Sequence, residues 1–311
     1  MTENPFELTD KTAYQSWRKR KLSSAPGRVE NLTVTIADLA APTAAEIQAV
    51  TDACRRSNMA VYDCPTTPRG AVLEDALGKF ATAFGLRSPN PHLCGPEDGL
   101  TALARDEDDG RRGGYIPYSD RLLNWHADGY YNPPDGQIRA LLLHCAADAA
   151  KGGENALLDT EIAYIRLRNA DPAFIAALMR SDAMTNPANW EGSVEIRPSR
   201  SGPVFSTDPL SGTLHMRYTS RKRYIVWKDD SQTSAAVTFL TEMLSGGEKL
   251  ILCNRLALVQ GILANNVLHN RTAFKDDPAG GRKRLIYRAC YLNRVADPQP
   301  TQPRHVENAS A

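Results

Sequence analysis

Hydrophobic and polar residues follow two different periods along this chain, and the switches between them mark out helical and extended stretches. After Pro42-Thr43, which supplies a capping-type start, apolar residues recur at helical spacing over 44–56, and 59–62 then reads as a strand. A second helix is predicted over 73–84. The continuous apolar run 138–147 reads as a buried strand, and helical patterns follow at 160–167 and 172–179. Short strands then become dense at 194–196, 204–206, 214–218 and 224–227, separated by Gly, Pro, Ser and Asp, the spacing of an antiparallel meander or jelly roll. One helix at about 234–244 interrupts them before strands at 249–253, 261–268 and 284–292. The pattern predicts a mainly β fold with α decorations, a sandwich or barrel with flanking helices.

Composition narrows the partners. The chain has 311 residues, with no internal repeat and no long low-complexity linker, so residues 1–296 read as one domain and the polar, Pro- and Gln-rich stretch 297–311 as a disordered tail. Lys plus Arg number 37 against 36 Asp plus Glu. That balance gives no global field for nucleic acid or an anionic membrane, so the expected partner is a small molecule, with homo-oligomerisation left open. No apolar window approaches a membrane span, and no charged stretch leads into an apolar run at the start; the expectation is a cytoplasmic protein. Six cysteines without CxxC spacing read as reduced, buried thiols. The basic run Trp17-Arg18-Lys19-Arg20-Lys21 reads as a solvated arm.

The chemistry concentrates in Asn124-Trp125-His126-Ala127-Asp128-Gly129. On an extended chain the His126 imidazole and the Asp128 carboxylate, two positions apart, point to the same face and can reach one ion. His269 closes the apolar strand 261–268, where a jelly roll could bring it back to the barrel mouth. Two imidazoles and a carboxylate on one face leave three positions of an octahedral ion open, the arrangement of non-haem iron(II) oxygenases. By contrast, His144 inside Leu141-Leu142-Leu143-His144-Cys145 reads as a hydrogen-bonded core residue, and His215 similarly. Asn265-Asn266 precede His269 and are candidates to orient its ring.

These residues, taken in order, resemble the taurine dioxygenase-like (TauD/TfdA) family of 2-oxoglutarate-dependent oxygenases. Trp125-His126-Ala127-Asp128 matches the family's W-H-x-D segment, and Gly152-Gly153-Glu154-Asn155 stands where the family has Gly-Gly-acidic-Thr. His269 sits at the family's distal histidine, and Lys283-Arg284-Leu285-Ile286-Tyr287-Arg288 at its pair of arginines four residues apart. The resemblance implies a double-stranded β-helix (jelly-roll) core, iron(II) held by His126, Asp128 and His269, and 2-oxoglutarate and O2 as co-substrates. It also implies release of succinate and CO2 as a substrate C–H bond is oxidised, by hydroxylation as the default outcome. Arginine suits the far carboxylate of 2-oxoglutarate because its fork gives two parallel hydrogen bonds. Arg284 is expected to hold that carboxylate, Arg288 to support it or face the substrate, and Arg282 with Lys283 to be exposed. Asn155 replaces the usual threonine at the co-substrate. A zinc-dependent jelly-roll hydrolase or isomerase could use the same triad but leaves the arginine pair unexplained, and an intact triad speaks against a non-catalytic binding module.

Substrate residues are less legible. Tyr130 and Tyr131 directly follow the first two ligands and are expected at the pocket, and Arg217-Tyr218-Thr219-Ser220-Arg221-Lys222-Arg223 packs four cations into one loop. If that loop lies at the mouth, with Arg221 in contact, the substrate is a small anionic metabolite or amino acid. The acidic stretch Arg105-Asp106-Glu107-Asp108-Asp109 reads as a lid.

Overall fold

The computed structural model describes residues 4–90, 99–105 and 116–296. The expected lid residues 106–109, the tail 297–311, His92, Cys94 and His305 lie outside them.

A six-stranded sheet runs in the order Thr33–Thr35, Met59–Asp63, Gln260–Ala264, Ala140–Ala147, Leu285–Tyr291, Thr101–Ala104. Only the first pair is parallel. The Ala140–Ala147 strand is central, and its first six residues are buried, which explains an apolar run with no alternation. Two helices pack on this sheet. Ala44–Ser57 starts with the expected cap: Thr43 Oγ1 accepts from the Glu46 N–H while Glu46 returns to the Thr43 N–H, a full capping box. Together with Ala71–Ala83 it contributes Val50, Cys54, Leu77 and Phe80 to a core shared with Tyr62, Leu142 and Ile262. A second core lies under the helices Thr160–Ala170, Pro172–Leu178 and Ser231–Glu242, centred on Tyr164, Phe205 and Tyr218.

A second, four-stranded antiparallel sheet runs Leu252–Asn254, Asn155–Leu158, Leu268–Arg271, Leu123–His126. Its existence corrects the strand expected over 261–268. The chain leaves the first sheet at Ala264 and enters the second at Leu268, because Asn266 turns with φ 50° and Asn265 bonds to Val295 and to the Asn58 carbonyl. Asparagine tolerates this left-handed conformation where a β-branched residue would not. The expected strand 224–227 also shortens to Val226–Trp227, with Lys222–Tyr224 in a 3-10 turn.

The basic run is likewise corrected. It lies on the helix Lys11–Ser23, capped by Asp10, with Trp17 edge-on to Phe6 and Tyr164. Lys21 is buried, its ammonium 2.5 Å from both Asp159 and Glu161. Lys19 and Arg20 alone are exposed. Of the described cysteines, all free, Cys253 is exposed rather than buried. No helix among the described residues is long and apolar enough to cross a membrane.

His144 is fully buried in the first sheet, its Nδ1 3.1 Å from the Tyr62 hydroxyl. Burial holds its pKa down to about 4, against 6.5 in an unfolded chain. The unfolded state therefore binds a proton first, so stability is fully present above pH 6.5 and falls as the pH drops toward 4, by on the order of 3 kcal/mol from this group. Urea denaturation at pH 7.5 and pH 5 should show about 2 kcal/mol of that loss, and His144→Gln should reduce the difference between the two.

Candidate metal centre and co-substrate pocket

The second sheet builds the centre. His126 ends the strand Leu123–His126 and pairs in register with His269 on the neighbouring strand, which puts the ring centroids 4.2 Å apart. Asp128 follows where the chain leaves the strand. Gly129 then turns with φ 66°, at a point where a Cβ would lie 2.4 Å from Ile138 Cγ1, so only glycine fits directly after the carboxylate. One ligand atom from each of His126, Asp128 and His269 lies within 4.8 Å of the others, and all three side chains are buried.

Hydrogen bonding fixes both imidazoles. His126 Nδ1 donates to the Asn124 carbonyl at 2.9 Å and His269 Nδ1 to the Val267 carbonyl at 3.0 Å. A carbonyl only accepts, so each Nδ1 carries the proton and each Nε2 lone pair is free for a metal. Burial, then repulsion from His126, holds the His269 pKa down to about 4, keeping it neutral at pH 7. Burial acts to raise the Asp128 carboxyl, but Arg288 and the two imidazoles outweigh it and keep it ionised, well below the usual range. Two neutral imidazoles and one carboxylate, buried and converging, fit a divalent first-row ion with open positions.

Three further residues grip Asp128. Arg288 Nη1 lies 3.7 Å from Oδ1, and Cys290 Sγ donates to Oδ2 at 3.5 Å. Asn266 Oδ1 accepts from the Asp128 N–H at 2.8 Å while its amide donates to the Asp128 and Ile138 carbonyls. The expectation that Asn265-Asn266 orient His269 is therefore corrected: Asn266 fixes the backbone of Asp128. Asn266→Ala should weaken iron(II) binding by about 10- to 100-fold, read by anaerobic metal titration.

The two arginines part company: Arg288 lies on the last strand and Arg284 just ahead of it. A register shift between Leu285 and Ile286 separates them, and they line different cavities. Arg284 is buried beside Cys145, Gly153 and Asn155, 5.0 Å over the Phe274 ring, with no carboxylate within 4.0 Å among the described residues. Burial lowers its pKa to about 10, so it remains a cation at neutral pH. Arg282 and Lys283 are exposed. Gly152 makes this corner possible, since at φ 74° a Cβ there would meet the Ala273 carbonyl at 2.1 Å. Arg288 instead shares a cavity with Asp128, Tyr131, Thr101 and Cys290.

Tyr130 and Tyr131 stack edge-on at 5.1 Å. Tyr130 is buried and Tyr131 borders the Asp128 cavity. The four-cation loop divides: Arg217 is buried and bonded to the carbonyls of Tyr130, Met184 and Arg200 and to Asn186 Oδ1, so it clamps the backbone instead of facing a ligand. Lys222 and Arg223 are exposed, and Arg221 is half-buried over the Tyr224 ring at 4.4 Å. Arg197, which no sequence pattern singles out, lies 5.0 Å over the Tyr131 ring.

The family model described as "Taurine catabolism dioxygenase TauD, TfdA family" matches residues 69–290. The chain belongs to this family. Enzymes of the TauD family use Fe(II), 2-oxoglutarate and O2. A curated relative, a uridine-5'-phosphate dioxygenase from an Amycolatopsis species, is 27% identical over 192 residues, which is 60% of this chain and 66% of the relative, just under two thirds of its length. Among solved structures, the fold is similar to an asparagine oxygenase bound to Fe(II), 2S,3S-3-hydroxyasparagine and succinate, with a TM-score of 0.56 and 15% identity over 84% of this chain and 93% of that one. It is similar also to the non-haem iron oxygenase OrfP bound to Fe, succinate and (3S)-hydroxy-L-Arg, with a TM-score of 0.59 and 17% identity over 93% of this chain and 90% of that one.

Proposed function

We propose that this TauD-family protein is an Fe(II)- and 2-oxoglutarate-dependent dioxygenase that hydroxylates a C–H bond of a small anionic metabolite, releasing succinate and CO2. The observation that carries this reading is the converging His126, Asp128 and His269 cluster, with Asp128 lining one cavity and Arg284, without a carboxylate partner among the described residues, lining another. The two largely antiparallel sheets, one carrying both histidines and the other Arg288 with Arg284 just ahead of its strand, support a double-stranded β-helix core within a single domain.

His126, Asp128 and His269 would hold the iron, and the bound metal would supply the O2 activation that couples 2-oxoglutarate decarboxylation to C–H oxidation. The chain's own part is binding and exclusion. Arg284 offers a permanently charged fork to the distal carboxylate of 2-oxoglutarate, and Asn155, in the same cavity, an amide donor. Arg288 keeps Asp128 ionised and shares with Tyr131 the cavity where the prime substrate would lie. The burial of all three ligand side chains limits water at the centre. An anionic substrate accords with these cations and with the phosphate in the name of the curated relative.

Succinate release from 2-oxoglutarate by the iron-loaded protein, screened against small acids, amino acids, amines and nucleotides, tests the reading. Stimulation by an anionic compound is expected. Stimulation by cationic amines alone would contradict the anionic assignment.

A further inference from the structure

The two oxygens of the Asp128 carboxylate are in different situations. Oδ1 faces His126 Nε2 at 3.5 Å. The His126 ring proton is on Nδ1, bonded to the Asn124 carbonyl, so Nε2 and Oδ1 meet as two lone pairs with no hydrogen between them. Two acceptors at that distance repel unless a cation sits between them, which marks Oδ1 as the oxygen for the ion. Arg288 Nη1 lies 3.7 Å from Oδ1, an ion-pair distance beyond hydrogen-bond reach.

Oδ2 has a different partner. It accepts from Cys290 Sγ at 3.5 Å. Arg288 and Cys290 are alternate residues of the strand Leu285–Tyr291, so their side chains leave the same face, and both line the cavity that Asp128 borders. The Asp128 main chain cannot follow a turning carboxylate, because Asn266 holds both its N–H and its carbonyl. Rotation of the side chain is the freedom that remains, and the thiol opposes it.

Resting on the metal-centre reading above, we propose that Cys290 is a positioning residue that keeps Asp128 a one-oxygen ligand. A carboxylate can bind a divalent ion through one oxygen or both. Beside His126 and His269, an Asp128 bound through both would leave two positions of an octahedral ion open, whereas one oxygen leaves three. A chelating 2-oxo acid fills two, so only the one-oxygen arrangement has room for O2 as well. A thiol suits this task, since it donates weakly and, unlike a lysine or arginine, brings no charge that would compete with the ion for the carboxylate.

Manganese(II), a divalent stand-in for iron(II), reports its coordinated waters by electron paramagnetic resonance in water enriched in the magnetic oxygen isotope. On the 311-residue protein, Cys290→Ala should cost the bound manganese one coordinated water, as Oδ2 joins the ion, without weakening manganese binding. Titration with 2-oxoglutarate after anaerobic iron(II) loading should show about tenfold weaker binding, the loss expected for one hydrogen bond to a charged group. Cys290→Ser keeps a donor and should restore both the water and the affinity. Circular dichroism checks that each variant is folded. A residue that merely supported the strand would weaken metal and co-substrate together and leave the water count unchanged. That pattern, no recovery in Cys290→Ser, or no manganese binding by the unsubstituted protein would overturn the role of Cys290. The water count needs no 2-oxoglutarate, so the two readings fail separately. A water lost in Cys290→Ala and regained in Cys290→Ser, on a protein that never turns over 2-oxoglutarate, would support the positioning role and sink the oxygenase. An unchanged count on a protein that does release succinate would do the reverse.

Discussion

His269→Ala is expected to strip the protein of iron(II) and of nearly all turnover while leaving it folded. Residues that merely orient a metal ligand already cost about 10- to 100-fold in affinity when removed, so losing one of three ligands should exceed that. The fold should persist because His269 holds its place in the sheet through main-chain pairing with His126 and Leu157, which alanine preserves. His126→Ala and Asp128→Ala should behave alike. Asp128→Ala also leaves Arg288 without its carboxylate, so its melting temperature should fall further than that of His269→Ala. Iron content after anaerobic loading, 2-oxoglutarate turnover and circular dichroism check these outcomes, and a variant retaining full activity would remove that residue from the centre.

Arg284→Lys is the second large effect. Lysine keeps the charge but replaces a planar fork by a point donor, so 2-oxoglutarate binding should weaken by about 1–3 kcal/mol, roughly 5- to 150-fold in KM. The effect should fall on 2-oxoglutarate and spare iron, because Arg284 lies in the cavity of Asn155 and Cys145, whereas Arg288 contacts Asp128. Arg282→Lys, on the exposed turn, should be neutral. A larger loss at Arg282 than at Arg284 would place the co-substrate elsewhere. Asn155→Thr should be mild, since a hydroxyl can replace the amide as a donor.

What could be read in the sequence was what local geometry dictates. Two positions apart on an extended chain is a statement about direction, so His126 and Asp128 were legible together, as was the helix that Thr43 and Glu46 cap. His269 was found as a residue, but its strand was misplaced: the apolar run 261–268 hides the left-handed turn at Asn266 that moves the chain between sheets. The spacing of Arg284 and Arg288 does not reveal that they line different cavities, because Arg284 stands just before the strand and a register shift follows Leu285. Charge runs carried least information. Local sequence cannot tell Arg217, surrounded by oxygen acceptors from three separate segments, from the exposed Lys222 and Arg223, and it gives no signal for Arg197. Cys290 was findable by strand alternation, two residues beyond Arg288 and on its face.

In the proposed site His126, Asp128 and His269 hold an iron(II) that 2-oxoglutarate chelates. Anaerobic addition of iron(II) and then 2-oxoglutarate to the 311-residue protein, followed by absorption spectroscopy, decides whether they do. A weak visible charge-transfer band that requires both additions and is absent from Asp128→Ala is expected; a colourless wild-type protein, or a band that survives in Asp128→Ala, would rule out this iron site.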